Sequence, residues 1–542
     1  MGETQHVDVV VVGAGFAGMY MVHRMRQAGR RVICFEGGTD VGGTWYWNRY
    51  PGCRCDVESL EYSYDFDADL QQDWVWTEKY ATQPEILRYA QHVADRFDLR
   101  RDIRFSTRVT DATFDEGAGR WTVATDDGAT TSAQFVVMAT GCLSSANMPD
   151  IPGRDSFQGE LAHTGRYPKE GIDFTGKRVG IVGTGSSGIQ AIPVIARTAG
   201  HLTVFQRTAQ FTIPARNGPL DPAEQAEVKA QYAEIVAANK RMFGAFGSRY
   251  QRPLRVATET DPEEFRAEME YLWERGGSLF LSSFRDLMRT PEANQLAADF
   301  VREKIRQTVN DPETAAKLIP DGLIGCKRLV IDTDYFETYN RPNVSLVDIS
   351  AKGTPITEVT PTGIRCGDDH YDLDVLIFAT GFDAMTGSLL RVDIRGRGGR
   401  RLADAWEAGP ITYLGLNVDG FPNLFTITGP GSPSVLANMI VGTEQHVEWI
   451  ADCVDYMAAH GHDTIEAEPE AVEEWVAHVN AVADRTIFPT CNSWYVGANI
   501  PGKPRVFMPL LGFPAYVDKC NEVASTDYPG FTFGRATAAA GV

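Results

Sequence analysis

Gly13, Gly15 and Gly18 stand as G-x-G-x-x-G, and Gly183, Gly185 and Gly188 repeat that spacing. This pattern does one kind of chemistry: it holds a dinucleotide. The first glycine permits a tight turn, the second lets the backbone approach a pyrophosphate, and the third packs helix on strand while the helix N-terminus faces the anion. An acid about 20 residues on should hold ribose hydroxyls, and Glu36 stands 18 after Gly18. The same count from Gly188 reaches Gln206, and Arg207 follows at once. Losing the carboxylate removes repulsion of a 2′-phosphate, and a guanidinium can pair with one bidentately. Ser186, at the helix start, and Thr208, after Arg207, are counted with this second site. The reading is therefore FAD at the first site and NADPH/NADP+ at the second, with hydride passing from nicotinamide to flavin.

Each motif needs a strand–helix–strand unit to position it. VDVVVVG ahead of Gly15 and KRVGIVG ahead of Gly185 are continuous apolar runs, as buried parallel strands should be. Both halves also end alike: FVVMATG closes at Gly141 and VLIFATG at Gly381. Between them, Asp221-Pro222, Asp261-Pro262, Thr290-Pro291 and Asp311-Pro312 read as N-caps followed by proline at the first helical position, and Glu224 and Glu264 would complete two capping boxes. The expected fold is α/β: two Rossmann-like dinucleotide-binding domains, for FAD and NADP, with a helical insertion in the second. Residues 1–145 form the first part of the FAD-binding domain and 146–220 the first part of the NADP-binding domain. Residues 221–324 form the insertion, 325–384 complete the NADP-binding domain, and 385–542 return to the FAD-binding domain. The last dozen residues, rich in Ala, Gly and Thr, are expected to fray.

Composition narrows the partners. The chain has 542 residues and a formal net charge of -21, so a phosphate backbone is repelled and nucleic acid is excluded as a partner. No apolar run reaches the roughly 18 residues of a membrane helix, and no signal peptide is read at the N-terminus. Nine cysteines are scattered through the chain, which suits a reducing cytoplasm. Disulfide reductases share the two-site layout but need a C-x-x-C pair; Cys53 and Cys55 do not fit, nor does any other pair, so both are read as buried thiols. O2 or a quinone remains as electron acceptor, and no metal site is expected.

Two stretches between the glycine motifs narrow the family. GGTWYWNRYPGCRCD, Gly42 to Asp56, and FQGELAHTGRYP, Phe157 to Pro168, resemble the two signatures of type I Baeyer–Villiger monooxygenases, near the phenylacetone, steroid and cyclohexanone monooxygenase group. The resemblance runs from Val7 to about Phe513, with Tyr167 where the fingerprint has tryptophan. It implies conversion of ketones to esters or lactones with O2 and NADPH through a flavin C4a-peroxide. It also implies roles. Trp45 joins the FAD site. GCKRLVIDTDYF, Gly325 to Phe336, resembles the family segment whose arginine is the active-site cation. Arg328 then takes that place, Lys327 joins Arg207 on the 2′-phosphate, and Asp56 orients Arg328. From spacing alone Arg328 reads as half of an ordinary ion pair. GPGSPSVLANM resembles the pocket loop beside the flavin, placing Ser434, Val435, Leu436 and Met439 on the substrate. NSWYVGANIPGKPR, Asn492 to Arg505, resembles the loop that closes over NADP, anchored by Trp494. His163 is read as coupling the domains or as plainly structural. The rival activities are N- or S-oxygenation, and a redox-inert flavoprotein acting as a binding module.

Overall fold

The computed structural model describes residues 4–498 and 511–535. Two sheets carry the fold, each grown around one glycine motif. In the first, β1 (Gln5–Val12) pairs in parallel with β2 (Val32–Phe35), Val9 opposite Val32, and on its other side with Thr130–Met138, Val9 opposite Phe135. Val9, Val10 and Val11 are fully buried, which is why the run is continuous rather than alternating. A short strand, Ile103–Arg104, extends the sheet past β2. An antiparallel meander, Val109–Asp115 then Arg120–Thr125, leads into Thr130–Met138. The chain beyond 385 comes back to this sheet: Asp393–Arg395 pairs with Val109–Asp115, and Leu424–Thr426 with Thr130–Met138.

The second sheet has five parallel strands, in the order Val344–Asp348, His201–Gln206, Arg178–Val182, Val375–Phe378, Glu160–His163. The two halves are built alike at the turns. Gly13 and Gly183 have φ of +102° and +109°, and a Cβ there would meet the carbonyl oxygens of Ala139 and Ala379 at 2.7 and 2.5 Å. Each glycine turn thus lies directly against an Ala-Thr-Gly turn, which explains why both halves need both motifs.

Helices occupy residues 222–318, between Thr212–Pro214 and Val330–Asp332, which pair in parallel and bring the two ends of the insertion together. All four expected caps form. Asp221, Asp261, Thr290 and Asp311 accept backbone N–H bonds from Ala223, Glu263, Ala293 and Thr314, each followed by proline. The capping boxes do not form: Glu224 and Glu264 turn outward to Arg249 (2.8 Å) and Arg255 (3.6 Å), where a full charge is available to them. The expected fraying is also corrected. Phe531–Gly534 is a strand, antiparallel to Thr464–Ala467, and its Phe531 is buried against Tyr413 and Trp449. Residues 536–542 lie outside the described residues. No described helix is long and apolar enough to cross a membrane.

Candidate active site

The carboxyl ends of the parallel strands of both sheets open onto a cavity of about 1760 Å³. Ligands in open α/β sheets sit outside those ends. Val12, Glu36 and Gly141 line it from the first sheet, and Val182, Arg207, Thr208 and Gly381 from the second.

On the first side, helix Phe16–Gln27 starts at Gly15 with no side-chain cap, so its first N–H groups are free for an anion. Gly18 is not on the cavity wall. Its Cβ position would overlap the carbonyl oxygen of Gly13 at 1.7 Å, so it serves the packing of helix on strand. Glu36, 6% exposed, accepts the N–H groups of Ala14 at 2.8 Å and Gly38 at 2.6 Å, one on each oxygen. Each oxygen keeps a lone pair for a ribose hydroxyl. Trp45 lies on the wall, its Nε1 donating to the Tyr62 hydroxyl at 3.1 Å. These features fit FAD.

On the second side, helix Ser186–Ala196 also starts without a side-chain cap, and a Cβ on Gly185 would meet nothing within 4 Å. Gly188 packs beneath, as Gly18 does. Gln206 is turned away from the cavity: it is buried, and its Nε2 donates to the Lys317 carbonyl at 2.7 Å. Arg207, Thr208 and Lys327 line the wall. Burial lowers the Lys327 ammonium from its ordinary value, and the nearby charge of Arg207 lowers it further. Among the described residues neither cation has a carboxylate partner. Two adjacent cations at one cavity edge fit a phosphate, and so NADPH.

Between the two sides stands Arg328. Its Nε and Nη2 donate to the two oxygens of Asp56 at 2.5 and 2.8 Å, and its Nη1 donates to the Val435 carbonyl at 2.6 Å. The two side chains keep 30% and 26% exposure, and both line the cavity. Burial works to raise the Asp56 carboxyl, but the guanidinium wins and holds it below its usual range. Burial likewise opposes the charge on Arg328, and Asp56 more than offsets it, so the guanidinium stays charged. Two of its N–H groups have no partner in this fork, so it can still donate into the cavity.

The remaining expected residues divide. Val435, Met439 and Trp494 are on the wall. Ser434 and Leu436 are not. Ser434 has φ +45° and donates to the Thr428 carbonyl at 3.1 Å, while Leu436 packs into an apolar cluster with Cys142, Phe488 and Tyr495. Asn499 to Arg505 of the expected closing loop lie outside the described residues. His163 is buried, and burial lowers it to about 4, so it is neutral. Its Nδ1 accepts the Gly165 N–H at 3.0 Å and its Nε2 faces the Thr380 hydroxyl at 3.2 Å, joining its strand to the Ala-Thr-Gly turn. Tyr167 is on the wall, 6% exposed, with its hydroxyl unpartnered among the described residues.

Two features were missed in the sequence. Cys326 and Cys491 are bridged, a pairing the sequence reading did not offer; the other seven are free and buried, Cys53 and Cys55 among them as expected, and burial pushes the Cys53 thiol up to about 12. Tyr495 is buried beside Arg328, and burial pushes its hydroxyl up to about 12 against the pull of the guanidinium. The available signal was position. Cys326 directly precedes Lys327-Arg328, and Cys491 directly precedes the Asn492 segment.

Comparison with known proteins agrees with this architecture. Residues 6–218 match the flavin-binding monooxygenase-like family. The chain is 46% identical over 506 residues to a Baeyer–Villiger monooxygenase of Pseudooceanicola batsensis, covering 92% of this chain and 91% of that one. It is 43% identical to the phenazine N-monooxygenase PhzNO1 of Lysobacter antibioticus, covering 98% and 97%. It superposes on an oxidized steroid monooxygenase bound to NADP with a TM-score of 0.93 and 54% identity, covering 98% and 99%. With two dinucleotide sites on one cavity and such identity along nearly its whole length, the chain belongs to the type I Baeyer–Villiger monooxygenases, FAD- and NADPH-dependent oxidoreductases.

Proposed function

We propose that this enzyme converts ketones to esters or lactones, and that Arg328 is the cation on which the oxygen insertion depends. The overall change is ketone + O2 + NADPH + H+ to ester + NADP+ + H2O. Bound FAD, reduced by NADPH, supplies the activated oxygen. The chain's own residues do the rest. Arg328 keeps its charge because it cannot release a proton, and the N–H groups it does not give to Asp56 and Val435 stabilise negative charge that develops on the former carbonyl oxygen. Asp56 and the Val435 carbonyl fix its orientation before the reaction, so no reorganisation is needed. Arg207 and Lys327 hold the 2′-phosphate, Glu36 holds the FAD ribose, and Trp45 packs on the FAD side. Val435 and Met439 face the substrate, and Trp494 belongs to the segment that covers NADP. The division into residues 1–145 and 385–542 for FAD, 146–220 and 325–384 for NADP, and 221–324 as insertion goes with this reading. The single observation that carries it is Arg328 held by three hydrogen bonds on the wall between the two sites.

The test is a product-identified screen of cyclic, aryl and bulky ketones with NADPH and O2. Ester or lactone that disappears in Arg328→Ala supports the reading; ester formed at normal rate by Arg328→Ala rejects it. A second reading, N-oxygenation, is favoured by the likeness to PhzNO1 and by Tyr167 at the fingerprint's tryptophan position. An aromatic amine in the same screen decides it: N-oxide without ester from any ketone would replace the first reading.

A further inference from the structure

The Cys326–Cys491 disulfide joins two segments 165 residues apart in sequence, with Cα atoms 5.3 Å apart. One end directly precedes Lys327 and Arg328. The other precedes Asn492, Trp494 and Tyr495. Both sulfurs belong to the apolar cluster that backs the cavity, with Cys142, Val435, Phe488, Met439 and Tyr495. The segment before Cys491 is itself anchored, since the Ile487 N–H donates to the Met288 carbonyl at 3.1 Å. The bond therefore fixes the stem of the Trp494 segment against the segment that carries both proposed cations.

We propose that this disulfide is a thiol-reversible positioning element, which holds Trp494 and Tyr495 in register with Arg328 and so couples NADPH binding to oxygen insertion. The inference rests on the roles given above to Arg328 and Trp494. Lys327 and Arg328 bind different partners at different points of the cavity, so a sub-ångström shift of their shared segment moves both. Tyr495, beside the guanidinium, moves with the stem. The pair forms when two thiols lose two electrons and two protons to a two-electron oxidant such as hydrogen peroxide, which becomes two waters. It opens when a phosphine takes up the oxygen of one water, leaving two thiols and a phosphine oxide. Of the other seven cysteines, all free, Cys53, Cys55 and Cys142 line the cavity, where burial raises their thiols and so disfavours the reactive thiolate; a change in turnover that a phosphine brings about in wild type but not in a variant lacking Cys326 and Cys491 therefore reports this bond.

The test uses the FAD-loaded enzyme. Thiols are titrated after denaturation without and with reduction; seven and nine are expected. The double variant Cys326→Ser/Cys491→Ser is compared with wild type for FAD content, KM for NADPH, kcat, and ester formed per NADPH consumed. FAD content should hold. KM should rise by about tenfold and the ester yield fall, within the ~10² that about 1 Å of misplacement costs. A phosphine should move wild type toward the variant and leave the variant unchanged. A bond that served stability alone would lower the melting temperature without moving KM or yield. Nine thiols before reduction overturn the proposal, as does a variant with wild-type KM and yield. If the variant does not fold, phosphine-treated wild type with nine thiols and unchanged kinetics overturns it instead. Arg328→Ala separates the two readings: if it abolishes ester while the cysteine variant behaves as wild type, only the tether fails.

Discussion

Arg328→Ala removes three hydrogen bonds, two to Asp56 and one to the Val435 carbonyl. Two effects follow, and they are separable. For the reaction, losing a preorganised charge where negative charge develops costs ~10²–10³ in rate, about 3–4 kcal/mol. For stability, removing one partner of a fully buried pair costs about 3–5 kcal/mol. Here the side chains keep 30% and 26% exposure to the cavity, so we expect roughly 1–3 kcal/mol. The stability loss depends on pH with a definite sign. In the wild type the Asp56 carboxyl titrates below its unfolded value, so its contribution is present above about pH 4 and lost as pH falls through the folded value. In the variant the guanidinium is gone and burial, the largest influence, is opposed only by a backbone hydrogen bond, so the carboxyl is raised. The protonated acid is then the favoured buried form, and the variant's deficit shrinks as pH falls from about 7 toward 5. The assay is ester formed per NADPH consumed, with FAD content and melting temperature followed at both pH values. Near-normal ester formation, or a deficit that widens on acidification, refutes the reasoning. Arg328→Lys should recover only part of the rate, because a point charge cannot make the two-pronged contact with Asp56.

NADPH should be strongly preferred to NADH, and Arg207→Ala should erode that preference by about 1–3 kcal/mol, as for one charge-assisted contact; kcat/KM for both cofactors checks it, and equal wild-type values reject the phosphate site. Trp494→Ala should weaken NADPH binding or ester yield while FAD stays bound; loss of flavin or unfolding would make Trp494 a core residue. His446 is fully buried, accepts the Thr428 N–H at 2.9 Å and faces the Tyr516 hydroxyl at 2.8 Å, and burial lowers it to about 3. Its contribution is complete above the unfolded value of about 6.5 and falls by up to about 1.4 kcal/mol per pH unit below it. Denaturant unfolding between pH 7 and 4.5 should be less pH-dependent in His446→Gln, and an unchanged slope would remove His446 as the cause.

What the sequence determined by itself was local. The glycine turns, the apolar strands feeding them, and the caps at Asp221, Asp261, Thr290 and Asp311 depend on backbone conformation and on partners within four residues, so residue type and spacing suffice to read them. The difference between Glu36 and Gln206-Arg207 is of the same kind, because both positions are set by one strand–helix–strand unit. Roles for Asp56 and Arg328 were legible only through resemblance, since their 272-residue separation leaves no spacing rule to join them. Tertiary structure alone decided what lies between elements. It turned Gln206 onto the Lys317 carbonyl and Ser434 onto the Thr428 carbonyl, and drew Glu224 and Glu264 away from their helices to arginines. It placed Phe531–Gly534 beside Thr464–Ala467 and brought Cys326 to Cys491. Each is a choice among partners distant in sequence, and only the packing of two sheets and an insertion around one cavity fixes which partner is near enough to bond.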